Sequence, residues 1–392
     1  QQIYSGADYG GAFAVYHKGE LVVDTWGGYA DKTSHLLWND NTVSKWFSVT
    51  KAVSAICAAI LADRGLLNYT EKVSYYWPEF AQNGKANITV SELLSHQAGL
   101  AVIEEPFELV PLIRNPDELS KLLERQVPAW EPGTRHGYHA ATFGLYVDQL
   151  VRRADSQRRS IQQFFQEEVA IPFGIDFHIG LPRRLQHRAA RLDSSNIVRS
   201  IPTLPWKYFR IFIDSLLHPS SLARKVMIQP RDLYMPPLER NNQPERREMP
   251  FASAQGYGTA RAVAKLMGIL ANGGSDGSKV LLSPRTLNNL TQPVAMGHDE
   301  IILDLSIFSN GMKLYKRFEA TKKERYIAGH PGIGGQMGMF DKEHSLSWAY
   351  ITNYLSIYSD GDYPIYMNLE KVLYECVQSI EGGGVSTIRS EL

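Results

Sequence analysis

Residues 46–63 read WFSVTKAVSAICAAILAD, and this stretch decides the fold. From Ser48 onward it is rich in alanine and other apolar residues that favour a helix, and Gly65 stands where such a helix would end. The apolar run 52–62 is about half of the roughly 20 residues that a bilayer span needs. We therefore expect one buried helix here and no transmembrane segment.

Strand-like sequence lies on both sides of this helix. The strand-like segments are 11–28, which reads as a hairpin around a short glycine-containing turn, and then 325–327, 336–340 and 347–352; helix-like segments are 259–271 and 368–378. Because strands from both ends bracket a helical middle, we expect an α/β subdomain made from both termini with a helical insertion. The cleft between the two parts is then the expected site.

The expected boundaries follow from these patterns. The α/β subdomain takes residues 1–75 and 255–380, and the helical subdomain takes 76–254, in which we find no convincing strand pairs. Within it, residues 201–250 are rich in proline and surround an aromatic segment, so we expect irregular, lid-like loop there. The glycine-rich tail 381–392 should be flexible.

Composition excludes several classes of protein. The 392 residues hold 41 basic and 41 acidic side chains with no long single-sign block, unlike a nucleic-acid binder or a polybasic membrane anchor. Cys57 and Cys376 are too few for a disulfide scaffold or a CxxC zinc site, although one bridge remains open. We expect a small or neutral ligand, no metal and no cofactor, and the oligomeric state stays open.

Weaker signals bear on location. The chain opens with glutamine rather than methionine, which we interpret as a processed or trimmed product. Glycosylation sequons begin at Asn68, Asn87 and Asn289, and the terminal residues 389–392 loosely resemble an ER-retention tetrapeptide. These signals favour the secretory pathway, secreted or in the ER lumen, over the cytoplasm.

A serine is followed by a lysine three positions later only at Ser48 and Lys51. If Ser48 begins the helix, Lys51 lies one turn further along the same face, and its amine can reach the serine hydroxyl. Desolvation would lower the pKa of that amine and allow it to act as a base. A serine and a lysine at this spacing also arise by chance in a chain of this length, so the surrounding sequence has to decide whether the pair is catalytic.

Further segments fall in an order that resembles the serine β-lactamase and penicillin-binding-protein superfamily, most closely its family VIII carboxylesterase and class C-like branch. The resembling segments are 27–31 (GGYAD), 46–51 (WFSVTK), 76–80 (YWPEF), 93–100 (LLSHQAGL) and 132–134 (PGT) leading into Tyr138. The resemblance covers nearly the whole chain. It implies an α+β fold, an antiparallel sheet flanked by helices and built from both termini, with a helical insertion, and a serine hydrolase that forms an acyl-enzyme.

The resemblance also assigns a tyrosine about ninety residues after the nucleophile, and Tyr138 matches it. It implies that Tyr138 manages the proton together with Lys51, although a structural tyrosine is the plainer interpretation. The lactamase-type pattern has asparagine where this chain has Ala140, which disfavours β-lactam hydrolysis. Ser194-Ser195-Asn196 is a minor rival to Tyr138.

The third family motif is matched by His330-Pro331-Gly332. Glycine there lets the backbone approach the reacting carbonyl, so the N–H groups of Ile333 and Ser48 are the expected oxyanion hole. His330 and Gly332 are expected at the substrate, with His330 a cationic anchor only when protonated. A tight strand turn without catalytic role is the alternative.

Other sequence patterns give weaker evidence for function. Residues 273–277 fit the GxSxG elbow in letters, but a helix precedes them, so we expect a surface turn. His136 and His139 lack a third ligand for a metal, and His96 is expected to be a structural residue at a helix end. Trp206 and Phe209 are predicted to line an acyl pocket, with core or dimer contacts as alternatives.

We therefore predict a serine hydrolase, most simply an esterase on small or short-chain acyl esters, with transfer to another acceptor also open. One alternative is a β-lactamase or D-Ala-D-Ala peptidase. The other is a catalytically weak binding or assembly protein of the same fold. The expected partner is a small-molecule ester or amide, and no nucleic acid is expected.

Overall fold

A computed structural model describes residues 9–193, 205–230, 238–318, 324–356, 358–381 and 388–389. Its helices are α1 (Val49–Asp63), α2 (Val73–Tyr76), α3 (Val90–Leu94), α4 (Leu109–Leu112), α5 (Pro116–Arg125), α6 (Thr142–Ala154), α7 (Ile161–Phe165), α8 (Ile171–Phe173), α9 (Trp206–Leu217), α10 (Leu222–Ile228), α11 (Pro244–Arg247), α12 (Ala260–Ala271), α13 (Pro284–Asn289) and α14 (Pro364–Glu381). A π-helical turn, Gln166–Ala170, joins α7 to α8, and short 3₁₀ turns lie at Pro78–Ala81, Arg183–Arg188 and Leu238–Asn242.

The strands are β1 (Gly11–His17), β2 (Glu20–Gly27), β3 (Tyr29–Asp31), β4 (Leu36–Leu37), β5 (Ser44–Lys45), β6 (Phe177–Ile179), β7 (Gly256–Gly258), β8 (Ala295–His298), β9 (Leu305–Phe308), β10 (Lys313–Phe318), β11 (Glu324–Gly332), β12 (Gln336–Asp341), β13 (Leu346–Thr352) and β14 (Ile388–Arg389). The main sheet is antiparallel, in the order β2-β1-β13-β12-β11-β10-β9-β8, with β14 beside β10. Smaller sheets join β3 to β4 and β5-β7-β6. The predicted α+β class, with a sheet built from both termini, is confirmed.

The sheet has a hydrophobic core on each face because its strands alternate. In β1, Ala12 and Ala14 point to the face covered by α1 and α12, whereas Phe13 and Val15 point to the face covered by α14. Both faces are therefore buried, and the sheet lies between two layers of helix. The larger of the two cores continues from α1 into α6 and the helical region.

The segments that were most regular in sequence have the expected structure. The 11–28 hairpin forms β1 and β2, and its turn places Lys18 and Gly19 at φ 51° and 86°, the conformation that two-residue hairpins favour. Helix α1 begins after Ser48 and ends before Gly65, whose φ of 71° fits a residue just beyond a helix end. The strands and helices expected between residues 259 and 378 are also present.

The middle of the chain differs from the expectation in two respects. Residues 70–255 include a strand, β6, although its partner β7 lies just beyond them, and three residues are too few to show an alternating pattern. In the described part of the expected lid-like loop, 205–230 and 238–250, the chain is largely helical rather than irregular, since α9, α10 and α11 lie there. The prolines mark helix boundaries: Pro205 immediately precedes α9 and Pro230 follows α10.

The remaining expectations concern the tail and membranes. Residues 388–389 pair with β10 as strand β14, whereas 382–387 and 390–392 of the expected flexible tail lie outside the described residues. Residues 194–196, the rival to Tyr138, also lie outside them. Among the described helices, none combines the length and apolarity that crossing a membrane requires.

Candidate active site

A sharp turn between β5 and α1 presents Ser48. The preceding residue, Phe47, has a φ of 46°, a left-handed conformation that is costly for a bulky side chain. The surroundings hold the turn: Trp46 donates its backbone N–H to the carbonyl of Gly256 at 2.8 Å and its indole N–H to that of Gly258 at 3.1 Å. Strand β7 therefore fixes the direction in which Ser48 leaves the turn.

Ser48 and Lys51 face each other as their spacing predicts. The Lys51 Nζ lies 3.1 Å from the Ser48 Oγ and donates to the backbone oxygen of Ser253 at 3.0 Å. Ser48 occupies the N-cap position of α1, yet its side chain makes no capping hydrogen bond. The hydroxyl is thus directed to the amine rather than to the helix.

Burial sets the charge of this lysine. Lys51 is fully buried, and desolvation holds the pKa of its amine well below the usual range. Within the part of the chain that the structure describes, Lys51 forms no ion pair with a carboxylate. A neutral amine beside a serine hydroxyl can accept its proton.

Tyr138 lies against the same lysine. The Lys51 Nζ is 4.9 Å from the centroid of the half-buried Tyr138 ring. That ring stacks on Phe308 at 6.2 Å, and the His330 ring lies 5.8 Å away. The Asp299 carboxylate accepts the backbone N–H of Tyr138 at 3.1 Å, which fixes the loop. The structure therefore brings Ser48, Lys51 and Tyr138 into one place.

The histidines near Tyr138 are tied to the protein. His139 Nδ1 donates to the Gly137 carbonyl at 2.6 Å, its Nε2 accepts from Leu100 at 2.9 Å, and burial lowers its pKa to about 4. His136 pairs with the hydroxyl of Ser306 at 2.8 Å. No group of three metal-ligating side chains is found in the described ranges. His136 and His139 thus have structural partners.

His96 follows α3 with a φ of 65°, as expected of a residue at a helix end. It is buried, and its Nδ1 accepts the backbone N–H of His139 at 3.1 Å. Its ring lies 5.2 Å from that of Tyr138. Its role here is to support the loop that carries the tyrosine.

The end of β11 lies against the turn before Ser48. A Cβ on Gly332 would come within 2.7 Å of the Trp46 carbonyl oxygen, so only glycine permits this approach. The next residue, Ile333, is 44% exposed, and Gly334 donates to the Tyr358 carbonyl at 2.9 Å. The backbone after β11 is therefore held beside the nucleophile turn.

His330 does not form a cationic anchor. It is fully buried, and desolvation holds its pKa well below the usual range. Its Nδ1 donates to the Pro331 carbonyl at 2.6 Å, and its buried Nε2 has no hydrogen-bond partner among the described residues. A neutral imidazole lines this side of the site.

Trp206 and Phe209 lie on α9 and are 70% and 39% exposed. They are not part of a hydrophobic core, so the core alternative was wrong, and their place in an acyl pocket stays a prediction. The GxSxG letters at 273–277 form a surface turn, as expected, with Gly273, Gly274 and Gly277 at positive φ.

Comparison with known proteins decides the family. A family model described as Beta-lactamase matches residues 4–366. This chain belongs to the beta-lactamase family. A relative described as "Esterase/beta-lactamase LipL" from Mycobacterium tuberculosis is 31% identical over 357 residues, covering 88% of this chain and 77% of the relative.

Two solved structures of esterase relatives share the fold of this chain. A family VIII carboxylesterase is 32% identical with a TM-score of 0.81, covering 95% of this chain and 93% of that one. EstA from Arthrobacter nitroguajacolicus Rue61a is 26% identical with a TM-score of 0.78, and the coverage is the same. The protein is a serine hydrolase of the beta-lactamase family.

Two contributors to this beta-lactamase-family site were missed in the sequence. The Ser253 carbonyl, which accepts from Lys51, is a backbone group and leaves no sequence signal. Lys45 is buried with its Nζ 4.8 Å from the Phe47 ring centroid, and it donates to Asn241 at 2.7 Å. A lysine just before the motif could have been noticed, but its partner lies 196 residues away.

Proposed function

We propose that this serine hydrolase is a carboxylesterase that works through an acyl-enzyme on Ser48. The observation that carries the proposal is the 3.1 Å separation between the Ser48 Oγ and the buried Lys51 Nζ. A nucleophile needs a base within hydrogen-bonding reach, and burial without a paired carboxylate supplies a neutral amine. The esterase relatives support the same activity.

The reaction would proceed in two halves. Ser48 Oγ attacks the ester carbonyl while its proton passes to Lys51. Tyr138, beside Lys51, then gives its proton to the departing alcohol oxygen and takes the proton from Lys51 in its place, so both groups regain their starting state. The ester C–O bond breaks and leaves an acyl group on Ser48. A water molecule then attacks this acyl carbonyl, loses its proton to the same pair, and releases the acid with Ser48 restored.

The backbone N–H groups of Ser48 and Ile333 are the proposed oxyanion hole. Support comes from the close approach of β11 to the nucleophile turn at Gly332. Each donor of this kind contributes about a hundredfold or more to the rate. Because both donors are backbone groups, the hole depends on the turn and the strand end rather than on a side chain.

Small neutral esters are the proposed substrates. A neutral His330 gives no charge to bind a substrate carboxylate. Ala140 packs against a buried apolar cluster that includes Val226 and Trp130, where an asparagine amide would be needed to bind a β-lactam side chain. Both features favour an apolar ester over a peptidoglycan stem or an antibiotic.

The printed description of the LipL relative names β-lactamase as well as esterase, so β-lactam hydrolysis is the second candidate. Nitrocefin turnover as fast as p-nitrophenyl butyrate turnover would favour it. A non-catalytic binding protein is the third, and it predicts no covalent adduct on Ser48 in the folded protein.

The deciding experiment is intact-mass detection of an adduct after treatment with a fluorophosphonate and with a panel of esters, followed by peptide mapping. We expect one adduct, on Ser48, and loss of both adduct and turnover in Ser48→Ala. Ser275→Ala is the matched control, because Ser275 sits in the GxSxG surface turn and its hydroxyl bonds only within that turn. An adduct that persists in Ser48→Ala contradicts the proposal.

A further inference from the structure

Helix α9 turns its polar side chains towards the protein. Lys207 Nζ lies 3.1 Å from the Asp362 carboxylate and 3.6 Å from Asp360, and the Tyr208 hydroxyl donates to Asp362 at 2.9 Å. The same hydroxyl accepts the backbone N–H of Ser359 at 2.7 Å. These contacts fix the rotation of the helix about its own axis.

The opposite face of α9 is apolar and open. Its members are Trp206, Phe209, Phe212, Leu216 and Leu217, exposed by 70%, 39%, 56%, 63% and 66%. At 100° per residue they fall within one arc of about 140°. We call these five residues the apolar stripe. A surface helix normally buries its apolar arc against the protein. Helix α9 exposes its apolar arc instead, because its polar side chains are the ones that contact the rest of the protein.

Cations also lie near the stripe. Residues 205–230, which hold α9 and α10, carry four lysines and arginines and one carboxylate, Asp214. Lys207 and Lys225 are paired with carboxylates outside this segment, so among the described residues Arg210 and Arg224 are its cations without an ion pair to a carboxylate. Arg210 is exposed and follows Phe209 at the edge of the stripe. An apolar stripe with Trp and Phe beside cations is the pattern of a helix that lies in a lipid–water interface.

We propose that the apolar stripe of α9 docks this protein on an anionic lipid surface. A second copy of the chain is the competing occupant. The stripe exposes roughly 600 Å², less than the about 800 Å² that each partner contributes to a stable interface. Partial insertion among lipid chains needs no complementary partner, and anionic headgroups match the exposed Arg210 beside the stripe.

The position of the stripe relates it to the proposed active site. Loop 358–362 holds α9 through Asp362 and also supplies the Tyr358 carbonyl that accepts from Gly334, directly after Ile333. A lipid surface under α9 would therefore lie near the end of β11. Lipophilic esters dissolved in that surface would reach the site without crossing bulk water.

The test is flotation of the full-length protein with vesicles of phosphatidylcholine, alone or mixed with phosphatidylserine. We expect binding to the mixed vesicles, a blue shift of tryptophan fluorescence, and quenching by lipids with brominated acyl chains. Trp206 and Trp26 are the exposed tryptophans of the described residues, so Trp206→Phe should keep binding and lose most of the quenching. Added salt should weaken binding.

Substitutions test whether the apolar stripe binds the vesicles, or whether any exposed apolar side chain would do so. Phe212→Ser with Leu216→Ser should weaken vesicle binding at least roughly tenfold. The matched control is Leu36→Ser with Leu37→Ser, two exposed leucines of β4, and it should bind as the unaltered protein does. Arg210→Glu should lower affinity for the mixed vesicles several-fold and leave phosphatidylcholine alone unaffected.

Three results overturn the proposal: no binding of the unaltered protein to the mixed vesicles, full binding by the Phe212/Leu216 variant, or a dimer in sedimentation that this variant abolishes. The last would assign the stripe to a second copy. The Ser48→Ala variant should bind vesicles as the unaltered protein does. Vesicle binding can therefore be tested independently of the proposed esterase activity.

Discussion

Two lysines are buried on opposite sides of β11, and their surroundings differ. Lys51 contacts a serine hydroxyl and a backbone carbonyl, and desolvation keeps its pKa well below the usual range. Lys313 is buried as well, but its Nζ lies 2.5 Å from the Asp360 carboxylate. Burial alone would raise the pKa of Asp360, yet Lys313, Lys207 and the Tyr315 hydroxyl outweigh it and hold that pKa well below its usual value.

The comparison shows what decides whether a buried lysine is suited to chemistry or to structure. A carboxylate beside a buried lysine stabilises the charged form of its amine, and the resulting ion pair fixes the surrounding loop. A buried lysine without such a partner is left with a neutral amine that can accept a proton. The sheet thus separates a proposed base from a structural cation.

The largest effect is expected for Lys51→Met. Ester hydrolysis should fall at least roughly a thousandfold because the base is lost. The free energy of unfolding at neutral pH should rise, since the unfolded chain protonates this lysine whereas burial disfavours its charged form in the folded protein. Steady-state kinetics and thermal unfolding measure the two effects.

The sign of the stability effect can be checked with pH. As pH falls below the unfolded-state pKa of lysine, about 10.4, the unfolded chain takes up a proton that the folded site refuses, so the unaltered protein loses stability. The advantage of Lys51→Met should therefore shrink as pH rises towards that value. A melting temperature that drops in the variant would show that Lys51 is a paired structural cation.

Tyr138→Phe should reduce the hydrolysis rate by several hundredfold, because the phenol hydroxyl is lost while the ring contacts with Phe308 and His330 stay. Tyr75→Phe removes a hydroxyl from an exposed tyrosine and serves as the control. Near-normal turnover in Tyr138→Phe would mean that Lys51 alone manages the proton.

Lys313→Met should act on stability. It removes the closest counter-charge of the buried Asp360, and we expect the free energy of unfolding to fall by about 3 kcal/mol. Asp360→Asn with Lys313→Met should recover part of this loss, because no unpaired charge is then buried. Chemical denaturation of Lys313→Met, Asp360→Asn and the double variant gives the three free energies of unfolding, and losses that simply add in the double variant would contradict the pairing.

The smallest effect concerns His330. Because its pKa is far below 6.5, it should stay neutral from pH 8 down to pH 6, and the preference for a neutral ester over one bearing a carboxylate should not change across this range. The ratio of kcat/KM for a matched ester pair is the measurement. A carboxylate ester that gains relative to its neutral partner as pH falls to 6 would identify a protonated His330.

Sequence predicted those parts of the site that depend on local spacing. Ser48 and Lys51 are three residues apart on one helix, so helix geometry alone brings them together. The contact between Lys51 and Tyr138 was expected from family resemblance only, because no local rule joins residues 87 positions apart. The approach of Gly332 to Trp46 depends likewise on the packing of a distant strand.

Sequence could not predict which way α9 faces. Its aromatic residues suggested a pocket lining, and the proline content suggested loop. The helix is oriented by Asp360 and Asp362, about 150 residues further along the chain. The short strands β6 and β14 were missed for a similar reason, since each is formed by its partner rather than by a pattern of its own.

The pairing of β1 with β13 has a consequence for how the protein is made. Gly11 lies opposite Thr352, so the first strand waits for nearly the whole chain before its inner neighbour exists. During translation, α1 leaves the ribosome long before the strands it packs against, so the face of α1 that contacts the sheet stays uncovered. A nascent chain stalled before residue 346 should therefore depend on chaperones, and release of the complete chain should end that dependence.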